Sequence, residues 1–448
     1  MNIISRAGSE IGPVMVTILI LCCLIILCVS TTFGMSPAPI VYVSGDGSGD
    51  FNCDGVDDHV ELNQAFRFVQ YNPEYTTVYL KGPFRYVIDE TLMVSNNIIL
   101  EGDSTAVLTI VDNNTWPSQK PMIQQTNPGW GSIIVRGFEI DGNYKGNTHK
   151  GRGDGYHNFM ILYYADVEVY NMYLHDSHGD ALKVKYSNNV KLHDNKIYKL
   201  GHDGLFAIQC QNVEAWNNNV RTMTNSALRA WNSNHIKFHD NEIYTEYGPD
   251  AGGPGIQIQY IRENKIQPMN DIEIYNNYIH DTYGPGIWLI ALGSPYTKDE
   301  AKDVHIHHNT FARCGTHPSY DWLGGIVTSG FYNTLIEENI FDGNLHAAVA
   351  YIYPTPPRFS GMEPKSISGE YTTIMRNNII INTVKRKYKP SGTGAGVINY
   401  HPENHTFILE NNCLYNNIGG NYVNAESDSD VYTDPNTSDE WSGVGAPK

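Results

Sequence analysis

The chain has 448 residues and a formal net charge of −18, from 30 Lys and Arg against 48 Asp and Glu. It contains 44 Asn, 41 Gly and 30 Tyr but only 17% charged residues, a profile that excludes a helix bundle or coiled coil. The negative balance argues against a nucleic-acid partner, because neutralising phosphates needs a basic surface.

The chain opens on 23 residues without a charge, Ile11 to Phe33, long enough to cross a bilayer. Arg6 is the only basic residue before them, which predicts the N-terminus inside and everything after Ser36 outside. Residues 1–36 are read as a signal or membrane-anchor segment, removed or retained, and the rest as extracellular or cell-surface protein. Asn113, Asn404 and Asn436 each begin an Asn-x-Ser/Thr sequon, in keeping with that address. Beyond the leader, Cys53, Cys210, Cys314 and Cys413 are too scattered for a disulfide framework or a metal motif, and are expected to be isolated packed thiols.

Residues 37–70 read as a lead-in and cap. Asp57 to Val69 has the spacing of an amphipathic helix with acidic residues in its first turn. Overlapping it, Asp50, Asn52, Asp54, Asp58 and Glu61 fit D-x-N-x-D-G-x5-E, where alternate oxygen ligands wrap a calcium ion. The same acids serve equally as the start of the helix; calcium here would brace the cap and take no part in chemistry.

From Val190 onward an apolar-x-apolar-x-x-Asn-x-apolar pattern recurs, clearest at Val190, Leu192, Asn195 and Ile197, and upstream copies from Ile133 and Val167 keep the apolar positions without the Asn. First positions 167, 190, 213 and 236 stand 23 apart, and the steps then lengthen to 272, 304, 334, 373 and 407. A short period with growing insertions marks a solenoid. Period-2 alternation makes each piece a strand, and the absence of helical crossovers makes the strands parallel. The expected fold is all-β, a single-stranded right-handed parallel β-helix over residues 37–420 with an N-terminal capping helix. Residues 421–448 are read as an acidic tail. The recurring Asn is expected to form a ladder of amides, structural in role.

In that register His157, Asp180, Asp203 and Ser226 share one column, and Met160, Lys183, Phe206 and Arg229 another. Carboxylates on adjacent strands lie roughly 5 Å apart, close enough for one to stay protonated and act as an acid. Asp and Gly are also ordinary turn residues, but three Asp, three His, Lys and Arg on consecutive turns exceed what turns require. The candidate catalytic set is Asp154, His157, His178, Asp180, Lys183, His202, Asp203 and Arg229. Lys145, Lys150 and Arg152, in a basic loop, and the outward Trp231 and Trp288 are candidates for binding an anionic sugar chain. His305, His307 and His308 resemble a metal cluster, but lie on one strand without a clear carboxylate partner.

The repeat, with Val41 to Asp58 (VYVSGDGSGDFNCDGVDD) and the coils from Gly131 to Ile290, resembles the disaggregatase family of methanogenic archaea, within the pectin-lyase-like β-helix superfamily. The resemblance implies an enzyme that cleaves methanochondroitin, the uronate-containing matrix of cell aggregates. It also implies that Asp180, His202, Asp203 and Arg229 match the coil-borne acids, His and base of superfamily hydrolases. The chain departs from that pattern in having no adjacent Asp-Asp on the catalytic coil and no R-x-K after it. The resulting expectation is a depolymerase of an acidic surface polysaccharide, with hydrolysis first and needing no cofactor. Elimination at uronate or C5-epimerisation comes second, and a non-catalytic carbohydrate-binding surface protein third.

Overall fold

Many strands alternate buried and exposed positions, as at Val190–His193, with one face for a core and one for water, whereas others, such as Ile287–Leu292 and Ala347–Tyr351, are buried on both faces. The computed structural model describes residues 39–246, 252–262, 268–292, 299–318, 323–352, 371–385 and 393–436. The expected membrane segment lies outside them; among the described residues no helix is long and apolar enough to cross a membrane.

The strands stack into three parallel sheets of 14, 12 and 12 strands, here sheets I, II and III. The chain visits the sheets in turn, one strand of each per coil, as in Val190–His193 (I), Lys196–Leu200 (II) and Leu205–Ile208 (III). Each strand pairs in register with its equivalent in the next coil, Val190 with Val213 and Val213 with Ile236. Inward Val, Ile, Leu and Phe from all three sheets fill one continuous core.

Helix α1 (His59–Tyr71) buries Leu62, Ala65, Phe66 and Val69 against the first coils, two residues later than its sequence bounds. Four strands precede the repeat legible in sequence: Phe51–Asn52, Ile40–Ser44, Thr77–Leu80 and Ile98–Gly102 continue sheet I ahead of Ser132–Arg136. At the other end, strand Tyr422–Val423 pairs with Val397 and Ile398, and Val431 bridges Cys413, so coil structure runs past residue 420.

The asparagine ladder is continuous. Nδ2 of Asn195 donates to Oδ1 of Asn218 (3.0 Å), and the relay passes through Asn241, Asn277, Asn309, Asn339 and Asn378 to Asn412, each link 2.8–3.1 Å. All eight side chains are buried, and each Oδ1 also accepts the backbone N–H of the preceding rung, as Asn218 does from Asn195 (3.2 Å). Cys53, Cys210, Cys314 and Cys413 are buried and free.

Candidate functional site

Each coil turns tightly from sheet II into sheet III, and there one column holds Asn158, Asp180, Asp203 and Ser226. A side-chain oxygen of each accepts the next backbone N–H: Asn158 from Asp180 (2.7 Å), Asp180 from Asp203 (3.0 Å) and Asp203 from Ser226 (2.8 Å). The turns pack so closely that a Cβ on Gly179 would sit 2.0 Å from Asn158 Oδ1, and one on Gly201 1.9 Å from the His178 carbonyl. Met160 pairs with Leu182, a step of 22 residues (182 − 160), so Asn158 and Ile161, rather than His157 and Met160, share columns with Asp180 and Lys183. His157 instead points its Nδ1 at the Lys120 carbonyl (2.9 Å) and its ring at Trp116.

Asp180 and Asp203 are completely buried. His202 lies between them, with Nδ1 2.6 Å from Asp180 Oδ1 and 3.1 Å from Asp203 Oδ2. Arg229 Nη1 lies 3.3 Å from Asp203 Oδ2, while its Nη2 donates to Gln259 (2.7 Å). Lys183 Nζ is 3.6 Å from Asp180 Oδ2 and contacts Asp154 Oδ1 directly. Asn225 Nδ2 donates to Asp203 Oδ1 (2.9 Å) and lies 3.2 Å from His202 Nε2.

Burial works against charge on His202, but Asp203 and the hydrogen bond to Asp180 outweigh it and carry the imidazole up to about 10. Burial pushes Asp203 up, yet His202 and Arg229 prevail and hold it below the usual carboxylate range. His202 is therefore an imidazolium at neutral pH.

Lys183, His202 and Arg229 keep only 9, 15 and 12% of their side-chain surfaces exposed, whereas Asp154 keeps 53%. The site thus shows solvent three cations and one carboxylate, with two further carboxylates sealed beneath. Asp180 and Asp203, the expected acid/base pair, lie beneath the surface of the site, and the more exposed side chains beside them are Asp154, His202, Lys183 and Arg229. Phe206 lies under both cations, 4.9 Å from Lys183 Nζ and 4.1 Å from the Arg229 guanidinium carbon, and Trp231 lies parallel to Phe206 at 6.0 Å.

His178, although next to Gly179 in the turn, faces away: Nδ1 meets the Gly151 carbonyl (3.1 Å), its ring contacts His157 and Tyr144, and burial lowers it to about 4. The basic loop is largely tied to backbone. Lys150 donates to the Trp116 carbonyl (2.8 Å) and Arg152 to that of Lys199 (3.1 Å), leaving Lys145 exposed. Trp288 faces outward from sheet III as alternation predicts, but it is buried with Ile290, Leu292 and Val327 in a second apolar cluster, not available as a sugar platform.

In the calcium-like set, local donors engage four of the five residues. Asp58 spends both oxygens on the N–H groups of Asp54, Gly55 and Val87. Asp50 accepts from Tyr42, Asn52 from Ser44 and Gly49, and Asp54 from Val56. The turn's own donors thus engage Asp50, Asn52, Asp54 and Asp58, while Glu61 stands with Cys53 and Asp58 in a group whose ligand atoms lie within 4.8 Å of one another.

Sequence reasoning missed Asn225, Gln257 and Gln259. The two Gln occupy outward positions of strand Ile256–Ile261, buried beside Arg229 and Ser226. Two amides alternating with isoleucines were the available signal.

The fold and this constellation define a right-handed parallel β-helix protein, and comparison agrees: residues 90–258 and 157–298 match the model of the right handed beta helix region. Residues 269–442 match the family described as disaggregatase related. No curated protein matches the sequence significantly. Among solved structures, the catalytic unit of a GH87 alpha-1,3-glucanase from Streptomyces thermodiastaticus is similar over 92% of this chain and 70% of its own, at 18% identity and a TM-score of 0.58. An exopolygalacturonase from Thermotoga maritima (11% identity, 83% of this chain, 87% of its own, TM-score 0.48) and the A-module of an Azotobacter vinelandii mannuronan C-5 epimerase (16%, 85%, 97%, 0.46) are also similar. The glucanase likeness establishes the fold.

Proposed function

We propose that the chain is an extracellular enzyme acting on a uronate-containing cell-surface polysaccharide. The observation carrying this reading is the layering of the site: Lys183, His202 and Arg229, each with a small part of its side chain exposed, lie over the fully buried Asp180 and Asp203. In a protein of net charge −18 these three cations, balanced by Asp154, Asp180 and Asp203, are the groups that would receive a substrate carboxylate. The disaggregatase-related region supports a matrix glycan as substrate, and the uncharged run Ile11 to Phe33 supports an address outside the cell.

In the first reading the reaction is hydrolysis. Asp154, exposed and clustered with Asp180 and His202, handles the proton at the glycosidic oxygen or the attacking water. The three cations fix the flanking uronates. Asp180 and Asp203 remain underneath as counter-charges that keep His202 protonated. The concentration of cations favours elimination or C5-epimerisation as the second reading, because both build negative charge on the uronate carboxylate, which Arg229 and His202 would neutralise.

The test incubates the purified full-length chain with extracted uronate-containing matrix and follows reducing ends, chain length and ultraviolet-absorbing unsaturated ends. New reducing ends without absorbance establish hydrolysis, and absorbance establishes elimination. Unchanged chain length with inverted C5 stereochemistry establishes epimerisation. Binding with none of these products, or no binding, overturns the enzymatic reading.

A further inference from the structure

The outer face of sheet I carries two adjacent columns running across the coils. One stacks Tyr170, His193, Trp216, His239, Tyr275 and His307, ring on ring, with interplanar angles of 4–8°. The other alternates Glu168, Lys191, Glu214, Lys237, Glu273 and His305. His193, His239 and His307 each approach the Glu one coil earlier, at 3.2, 3.3 and 3.3 Å. In the coils of His193 and His239 the neighbouring column supplies a Lys, whose ammonium group has no lone pair to offer. In the coil of His307 it supplies His305, a side chain with a lone pair to offer.

The carboxylate missing from the sequence therefore comes from the preceding coil. Glu273 pairs in register with His305 and lies 3.3 Å from His307 Nε2. One ring nitrogen of each imidazole and one Glu273 oxygen all lie within 4.8 Å of one another, and the two rings are 4.1 Å apart. Around them, Glu337 accepts from His305 Nε2 (2.7 Å) and is itself held by Arg376. His308 Nδ1 faces His307 Nδ1 (2.8 Å), and Lys237 pairs with Glu273 Oε2 (3.3 Å). A carboxylate on the far nitrogen of a ligating His is the usual orienting partner.

We infer that Glu273, His305 and His307 form a binding site for a borderline divalent metal such as Zn²⁺, joining two successive coils. Two imidazoles and a carboxylate suit such an ion, and a fourth position is left to water. The site lies on a different face from Asp154 and His202 and does not depend on the proposed enzymatic activity.

The test titrates tag-free full-length protein with ZnCl2 by calorimetry, and with CoCl2 by visible absorption. One saturable site per chain is expected, weakened at least about tenfold in H305N, in H307N and in E273Q. H235N, changing a His paired with Asp271 elsewhere on the same sheet, should bind as the parent does. Circular dichroism of each variant separates lost binding from lost fold. Absence of saturable uptake by the parent, or uptake unchanged in folded H305N and H307N, overturns the inference.

Discussion

Two turns of the same coils use one device to different ends. Between sheets I and II, Asn195 to Asn412 accept backbone N–H groups through Oδ1 and pass Nδ2 to the next rung, so nearly every bonding valence is consumed inside the column. Between sheets II and III, Asp180 and Asp203 make the same acceptor bond through Oδ1, but each has a second oxygen and a charge left over. Those surplus oxygens face Lys183 and, for Asp203, His202 and Arg229. Turn residue and site residue are thus two ends of one carboxylate, and Asn158, an amide in the same column, demonstrates that the rung itself needs no charge.

The strongest way to break this comparison is to separate rung from charge. Asp203→Ala removes both, and should cost about 3–5 kcal/mol of stability by leaving buried cations unpaired, together with about 10²–10⁴-fold in activity on a uronate polymer. Asp203→Asn keeps the acceptor for the Ser226 N–H but leaves the same cations unpaired, so it should lose activity to the same extent and regain only the rung's share of stability, about 1–3 kcal/mol; equal melting losses in the two variants would show that the rung adds nothing. Next, Asp154→Asn should lower kcat by about 10²-fold or more with stability changed by no more than about 0.5 kcal/mol, read by turnover and thermal melting. In the amide ladder, Asn277→Ala should cost about 1–3 kcal/mol by orphaning its buried partners and leave kcat unchanged.

The finest test is the pH dependence of melting. His202 is raised to about 10 from an ordinary value of ~6.5. Its stabilising contribution is therefore whole below ~6.5 and lost as pH climbs through 10. His178, lowered to about 4 by burial, acts oppositely: its contribution is whole above ~6.5 and lost as pH falls through 4. His202→Asn should flatten the alkaline decline in melting temperature, and His178→Asn the acidic one.

The solenoid was legible because inward Val, Ile and Leu alternate strictly and one Asn per coil marks the phase. The coils at Ile40, Thr77 and Ile98 carry no such Asn and went unread. One residue fewer between Met160 and Leu182 displaced His157 from its expected column. Alternation correctly placed Trp288 outward, but period-2 patterning says nothing of whether that face is itself covered. For Asp180 and Asp203 the sequence indicated proximity; burial, which decides what can touch substrate, follows from how tightly Gly179 and Gly201 let successive turns pack.

The amide relay also has a direction and an end. Asn412 Nδ2 donates at 3.2 Å to Asp430, which also takes the Asn412 backbone N–H at 2.7 Å. A carboxylate receives and has nothing to hand on, so the polarity that would invite another coil, or the end of a second molecule, stops there. Among the described residues, Asp430 is thus the last acceptor of the relay.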